Sequence, residues 1–171
     1  MKLMIASDIH GSAYYCDLII KRFKESKADK LLLLGDLLYH GPRNPLPEEH
    51  NPQEVARMLN ECSPAPLCVR GNCDTEVDQM VLPFPILADY AVMPVGSRLM
   101  YCTHGHHFNV SALPPMQKGD ILIYGHTHVP LLDVNDERVC LNPGSVSIPK
   151  DGSHSCLIFD GGEFRFHIWE D

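Results

Sequence analysis

The sequence lacks the long apolar run of a membrane protein and the basic surface of a protein that binds long nucleic acid. No apolar stretch approaches the roughly 20 residues of a membrane-spanning helix, and residues 1–6 are too short for a signal peptide. Lys and Arg number 14 against 22 Asp and Glu, which leaves a formal net charge of −8. We therefore expect neither a membrane nor long nucleic acid as a partner, although small phosphorylated substrates stay compatible with bound cations.

The chain also lacks a C-x-x-C pair, and its seven cysteines are an odd number. Five of them lie in apolar or strand-like segments and are predicted to be buried free thiols, namely Cys16, Cys68, Cys102, Cys140 and Cys156. A reducing compartment, the cytoplasm, fits this pattern best.

The first half of the chain alternates between strand and helix patterns. Short apolar runs predict strands at residues 2–6, 31–34 and 66–70. Cys16, Ile19 and Phe23 recur at helical spacing, and Asn51 followed by Pro52 is typical of a helix start. This order predicts an α/β fold with parallel crossovers. At 171 residues the chain is expected to form one domain, residues 1–171, with a sizeable core.

After about Leu82 little helical pattern remains, and seven segments resemble strands: residues 86–93, 98–103, 120–124, 129–134, 138–141, 155–159 and 163–168. Turns at Gly96 and at Gly161-Gly162 separate several of these segments, as hairpins require. The second half is therefore predicted to supply mostly antiparallel sheet.

Five short polar blocks are spread along the chain, and most directly follow a predicted strand. They are Asp8-Ile9-His10, Gly35-Asp36, Gly71-Asn72-Cys73-Asp74, Thr103-His104-Gly105-His106 and Gly125-His126-Thr127-His128. In an open α/β sheet, the loops at the carboxyl ends of neighbouring strands converge on one crevice. We therefore expect these blocks to form a single site.

The blocks combine carboxylate, amide and imidazole groups, and no thiolate is required. Such a set suits Mn²⁺, Fe²⁺, Co²⁺ or Zn²⁺, and it has too many members for one tetrahedral zinc. Two cations about 3.5–4 Å apart would use them all, and such pairs catalyse displacement at phosphorus. The carboxylate of Asp36 follows a buried strand, where an ionised group is costly unless a positive charge pairs with it.

In their order, the blocks resemble the signature of the calcineurin-like metallophosphoesterases, D-x-H, G-D, G-N-H-D/E, H and G-H-x-H. The similarity runs from Asp8 to His128, and the segments 35–42 and 142–145 narrow it to small prokaryotic phosphodiesterases. The resemblance implies two facing mixed β-sheets flanked by helices, a four-layer α/β/β/α sandwich. It also implies that a metal-activated water hydrolyses small phosphodiesters.

The resemblance implies two divalent metal ions as cofactors, with Mn²⁺ first and Fe²⁺, Co²⁺, Ni²⁺ or Zn²⁺ as alternatives. One ion would be held by Asp8, His10, Asp36 and His128. Asp36 would bridge to the other ion, which Asn72, His104 and His126 would also hold.

This chain departs from the family motif at one position, because Cys73 stands where a histidine usually follows the asparagine. The predicted catalytic residues are Asn72, Cys73 and Asp74. A thiol with an ordinary pKa near 8.5 is a weaker acid than an imidazolium for protonating a leaving oxygen. We hypothesise that the protein favours esters with good leaving groups, or relies on Asp74 or another histidine.

Three further residues are candidates for substrate contact: Arg43, Asn44 and His106. For Arg43 a solvent-exposed side chain is an equal alternative, as is a solvated loop histidine for His106. A phosphomonoesterase, and a catalytically weak or inactive binding scaffold on the same fold, remain alternative functions, and a homo-oligomer remains open. The sequence lacks the H-x-H-x-D-H run of metallo-β-lactamase-type sites, and it is too short for an amidohydrolase barrel of about 250 residues.

Overall fold

The computed structural model describes residues 1–170. Its strands are β1 (Lys2–Ala6), β2 (Lys30–Leu33), β3 (Leu67–Cys68), β4 (Tyr90–Val95), β5 (Arg98–Thr103), β6 (Ile121–Ile123), β7 (Leu131–Val134), β8 (Val139–Asn142), β9 (Ser155–Asp160) and β10 (Glu163–Ile168). Its helices are α1 (Ala13–Ser26), α2 (Pro52–Asn60) and α3 (Glu76–Val81). None of the helices described is long and apolar enough to cross a membrane.

The two longer helices begin at side-chain caps. The Oγ of Ser12 accepts a hydrogen bond from the Tyr15 amide at 3.2 Å, and the Oδ1 of Asn51 accepts one from the Glu54 amide at 3.1 Å. These bonds satisfy amides that have no partner inside the helix. The predicted helix start at Asn51 is confirmed, with Pro52 as the first residue of α2.

The strands form two five-stranded mixed sheets, in the orders β10-β9-β1-β2-β3 and β4-β5-β6-β8-β7. The hairpins β4–β5, β7–β8 and β9–β10 pair antiparallel, as predicted for the second half. At the centre of the second sheet, however, β5, β6 and β8 run parallel. In addition, β9 and β10 return to the first sheet, where β9 lies antiparallel to β1 with Leu3 opposite Phe159.

Apolar side chains fill three layers. Helices α1 and α2 cover the outer face of the first sheet, where Ile19 and Leu59 pack with Met4. The facing sides of the two sheets form a second cluster that includes Ile5 and Ile123. The predicted pair of facing mixed sheets is confirmed. On the outer face of the second sheet, Val110 and Met116 of loop 105–119 pack against the buried side chains of Tyr101 and Leu122.

Most predicted strand bounds differ from the observed ones by one or two residues, and two predicted strands differ most. The strand predicted at 66–70 is limited to Leu67–Cys68, and the one predicted at 86–93 begins at Tyr90. The amide of Ile86 donates to Oε1 of Gln79 at 2.9 Å, and the carbonyl of Ala88 accepts from the Arg70 amide at 2.8 Å. These contacts with α3 and the β3 loop hold residues 86–88 away from β5.

Five of the strands end at the same edge of the molecule, directly before a polar block. Chain order places Asp8 after β1, Asp36 after β2, Asn72 after β3, His104 after β5 and His126 after β6. This arrangement is the one that α/β folds use to build a site from distant segments.

Candidate metal centre

Most of the polar residues at this edge have a left-handed backbone, which is rare for residues other than glycine. The residues and their φ angles are Asp8 (59°), His10 (51°), Asp36 (55°), His126 (67°) and His128 (59°). In residues 1–170 only Lys27 and Glu49 share this property outside glycine. Backbone strain persists where the surrounding structure enforces it, and it is concentrated at functional sites.

The first group of polar atoms is Asp8, His10 and His128, all buried. Oδ1 of Asp8 lies 3.2 Å from Nε2 of His128 and 3.5 Å from Nε2 of His10. The two Nε2 atoms lie 3.3 Å apart. When several ligand atoms each lie about 2.0–2.2 Å from the same cation, the distances between those atoms are of this size.

The second group is Asn72, His104 and His126. Nε2 of His104 lies 3.0 Å from Oδ1 of Asn72 and 3.2 Å from Nδ1 of His126. Oδ2 of Asp36 joins the two groups, since it lies 3.5 Å from Nε2 of His104 and 3.7 Å from Nε2 of His10. The structure thus brings all seven predicted ligands together, with one carboxylate oxygen between the two groups.

The hydrogen bonds of the imidazoles leave lone pairs pointing at one another. Nδ1 donates to a backbone carbonyl in His10 (Tyr39, 2.8 Å), His104 (Leu34, 2.8 Å) and His128 (Ile148, 2.9 Å). A carbonyl can only accept, so in each neutral ring the Nε2 atom carries a lone pair. These lone pairs face each other and the amide oxygen of Asn72, which is repulsive unless a proton or a cation lies between them.

In both Asp8 and Asp36, one carboxylate oxygen accepts a hydrogen bond from a backbone amide, and the other oxygen faces the candidate metal site. Oδ2 of Asp8 accepts from the His126 amide at 3.1 Å, and Oδ1 of Asp36 accepts from the Cys73 amide at 2.8 Å. Oδ1 of Asp8 is buried and has no hydrogen-bond partner in residues 1–170. An unpartnered buried carboxylate oxygen among three imidazoles fits a divalent cation, as does the mixed nitrogen and oxygen set.

The buried Asp8 and His10 side chains each shift the pKa of the other. Burial opposes ionisation of Asp8, but the neighbouring imidazoles of His10 and His128 outweigh it and hold the pKa of Asp8 well below its ordinary value. Burial likewise opposes protonation of His10, but Asp8 and Asp36 raise its pKa. The carboxylate of Asp8 therefore stays ionised and attracts positive charge into this part of the site.

Residues 142–148, which we call the bracket loop, hold this arrangement in place. The hydroxyls of Ser145 and Ser147 both donate to the carbonyl of Asp8, at 2.9 and 2.8 Å. Nδ2 of Asn142 donates to the carbonyl of Gly125 at 2.8 Å, directly before His126. The sequence pattern indicated only a turn here, because the partners of these side chains lie far away in the chain.

Two glycines allow the loops to approach closely. A Cβ atom at Gly71 would collide with Oδ1 of Asp36, and one at Gly125 would collide with Oγ of Ser7 and crowd Oδ2 of Asp8. Both positions therefore exclude a side chain, so the glycines of the G-N and G-H blocks are needed for packing of the site.

The predicted catalytic residues Asn72, Cys73 and Asp74 have different surroundings. Nδ2 of Asn72 donates to Sγ of Cys73 at 3.2 Å, and both residues line the cleft. Burial and the nearby Asp36 raise the pKa of the Cys73 thiol to about 12. Asp74 is buried below the cleft, where it accepts from the amides of Asp36 (2.8 Å), Leu37 (2.9 Å) and Gly71 (2.7 Å). Asp74 thereby joins two of the polar blocks.

A cleft of about 450 Å³ opens over the centre. Two of the three predicted substrate contacts, Arg43 and Asn44, line it. His106 is not among the lining residues and packs behind His104, with ring centroids 5.4 Å apart. Lys150 also lines the cleft, and no sequence motif had indicated it. Its backbone amide donates to the His128 carbonyl at 3.0 Å, a contact that no spacing rule could reveal.

The chain is similar to known proteins over most of its length. The family model of the calcineurin-like phosphoesterase superfamily domain matches residues 1–163. The chain is 49% identical over 153 residues to phosphodiesterase YfcE of Escherichia coli, covering 90% of this chain and 83% of that protein.

Solved structures give the same grouping. A structure of the phosphoesterase YfcE from E. coli superposes with a TM-score of 0.91 at 47% identity, over 94% of this chain and 89% of that one. An archaeal phosphodiesterase superposes with a TM-score of 0.71 at 23% identity, over 99% and 100% of the two chains. Vps29 from Entamoeba histolytica reaches a TM-score of 0.64 at 17% identity, over 99% and 98%. The last two similarities show the fold alone.

Proposed function

Because the chain belongs to the calcineurin-like phosphoesterase superfamily, we propose that it is a metal-dependent phosphodiesterase that hydrolyses small phosphodiesters. One observation carries the proposal: Oδ2 of Asp36 lies between two groups of facing ligand atoms. The 49% identity with a phosphodiesterase supports the reaction class.

The ligand assignment we propose follows the two groups. Asp8, His10 and His128 hold one divalent cation and Asn72, His104 and His126 hold the other, with Asp36 shared between them. Two divalent cations in such a site lower the pKa of water and neutralise charge on the phosphoryl oxygens. Mn²⁺ is the first candidate, ahead of Fe²⁺, Co²⁺, Ni²⁺ and Zn²⁺, since the oxygen and imidazole set suits all of them.

The chain's own side chains orient the substrate. Arg43 and Asn44 border the cleft, and the exposed amide of Asn72 lies at the floor. Nδ2 of Asn44 donates to the His40 carbonyl at 2.8 Å, which braces the loop that carries Arg43. The Cys73 thiol stays protonated and neutral beside Asp36, because its pKa is raised to about 12. It adds no charge to the floor and is a poor proton donor for a leaving oxygen.

Several wider assignments are part of the same proposal. Residues 1–171 act as one domain, which the continuous core of the two sheets supports. The protein works in the cytoplasm, as the seven free cysteines suggest for a reducing compartment. The substrate is a small phosphodiester, without long nucleic acid or a membrane as partner, and the chain is free to form a homo-oligomer.

The experiment compares hydrolysis of bis(p-nitrophenyl) phosphate and p-nitrophenyl phosphate, with Mn²⁺ and with a chelator. We expect diester cleavage that the chelator abolishes and Mn²⁺ restores. Metal analysis of anaerobically purified protein measures how many ions each chain binds. Faster cleavage of the monoester would assign a phosphomonoesterase instead, and no turnover with any divalent ion would favour a binding scaffold on this fold.

A further inference from the structure

Two basic side chains face the cleft without a negative partner. Arg43 and Lys150 line it from different loops, and both are exposed. Within residues 1–170 no carboxylate oxygen lies within 4.0 Å of the charged nitrogens of either side chain. Arg57 and Lys118, which lie outside this cleft, are two basic residues that do have acidic partners. In a chain of net charge −8, unpaired cations at one opening produce a local positive field.

Both loops are fixed to the metal centre at their base. The carbonyl of Tyr39, four residues before Arg43, accepts from Nδ1 of His10 at 2.8 Å. The amide of Lys150 donates to the His128 carbonyl at 3.0 Å. The loops that carry Arg43 and Lys150 are therefore anchored beside the metal centre, and both exposed side chains line its cleft.

The charge at this opening exceeds what a simple diester needs. Two divalent cations carry four positive charges, and Asp8 and Asp36 supply two negative ones. The remaining two positive charges match one on the diester and one on an attacking oxygen anion. Arg43 and Lys150 then add two positive charges that neither of these groups neutralises.

We propose that the cleft selects phosphodiesters that carry a second anionic group, such as a carboxylate or a terminal phosphate, with Lys150 and Arg43 as the specificity-determining residues. This inference rests on the proposed function. The volume of about 450 Å³ is within the range of sites for small organic ligands, so both anionic groups of one small substrate fit.

The test uses two diesters that share p-nitrophenolate as the leaving group and differ only in the other arm: p-nitrophenyl phenyl phosphate and p-nitrophenyl 4-carboxyphenyl phosphate. We expect wild-type kcat/KM to be about tenfold higher for the carboxylated diester, mainly through KM, from two exposed ion pairs of roughly threefold each. Raising the ionic strength from about 0.01 M to 1 M should reduce the preference, because the screening length falls from about 30 Å to 3 Å.

The variants Lys150→Gln and Arg43→Gln should each lower the ratio of the two kcat/KM values about threefold. The variant Lys150→Glu should lower this ratio further than Lys150→Gln, because the new carboxylate repels the carboxylated diester. Lys118→Gln is the matched control, because Lys118 is also exposed but pairs with Glu137 at 3.0 Å outside the cleft. Equal losses on both diesters would show that the two cations hold the scissile phosphate itself and would overturn the proposal. So would an unchanged ratio, or the same fall in Lys118→Gln.

Calorimetry separates this inference from the proposed function. The ligands are 4-carboxyphenyl phosphate and phenyl phosphate, titrated into wild type and Lys150→Gln with Mn²⁺ and with chelator. The carboxylated ligand should bind wild type more tightly in both conditions and lose that advantage in Lys150→Gln. Absence of any turnover would reject the enzyme while this comparison still decides the role of Lys150. Equal binding of the two ligands to wild type would reject the selectivity.

Discussion

The two halves of the metal centre differ in their exposure to water. Asp8, His10 and His128 are each 5% exposed or less, and the bracket loop holds Asp8 from behind. In the other half His104 is buried, but Asn72 is exposed and His126 is half-buried. We therefore expect the buried half to hold its cation more firmly, and the cation of the open half to be the one that meets the substrate. Each experiment below tests or refines this difference.

The largest expected effect is that of Asp36→Asn, because this residue belongs to both halves. The substitution removes the shared negative charge and should lower kcat/KM by about a thousandfold or more, the size found when a group that stabilises developing charge is removed. Kinetics on a phosphodiester and metal analysis together measure it. Full retention of both cations would contradict the shared role of Asp36. Thermal unfolding checks that the fold is intact.

Asn72→Ala should distinguish the halves. It removes an exposed amide oxygen that lies 3.0 Å from Nε2 of His104 and leaves the buried group untouched. We expect metal content to fall from about two ions to about one per chain, since the lost ligand belongs to only one of the two sites. Metal titration with and without competing chelator measures this. Asp8→Asn is the matched variant in the buried half, and equal loss of both ions in Asn72→Ala would refute independent halves.

A smaller effect is expected when the support of Asp8 is removed by the pair Ser145→Ala and Ser147→Ala. Both hydroxyls donate to the Asp8 carbonyl, so their loss frees a residue with a left-handed backbone. Metal affinity of the buried half should fall about tenfold, as for other groups that orient a ligand. Ser153→Ala is a suitable control, because among the described residues 1–170 its hydroxyl donates hydrogen bonds only to Asp151. Unchanged affinity would show that the bracket loop has no positioning role.

The smallest effect concerns the floor of the open half. Cys73→His introduces an acid stronger than a thiol whose pKa is about 12. Turnover should rise several-fold for diesters with poor leaving groups and little for p-nitrophenyl esters, because general acid catalysis helps most when the leaving oxygen is basic. The measurement is a series of aryl and alkyl diesters. Equal responses along the series would make the Cys73 hypothesis wrong.

Much of the first sheet could be predicted from local pattern. The runs that became β1 and β2 are continuously apolar because both faces are buried, and the helix starts at Ser12 and Asn51 have polar caps. The placement of ligand residues after strand ends also gave the correct set of neighbours, since that placement depends only on chain order and on strand direction.

The remaining features depend on contacts between distant residues. The pairing of Leu3 with Phe159 cannot be predicted from the sequence of either strand, because an apolar strand fits either sheet. The contacts of the bracket loop are equally unpredictable. Ser145 and Ser147 donate to the backbone carbonyl of Asp8, and since every residue has a carbonyl, the sequence does not indicate this partner. The position of Asp74 beneath two loops could not be predicted either. The sequence does not show whether an acidic residue next to a catalytic motif faces the substrate or the backbone amides.

The return of β9 to β1 has a consequence for biosynthesis. While the chain emerges from the ribosome, β1 keeps one unpaired edge until residues 155–160 have been made. This edge belongs to an apolar strand, and exposed edges of that kind promote aggregation. We therefore expect nascent chains that stall before β9 to aggregate most readily. The long sequence separation of β1 and β9 also favours slow formation of this strand pair.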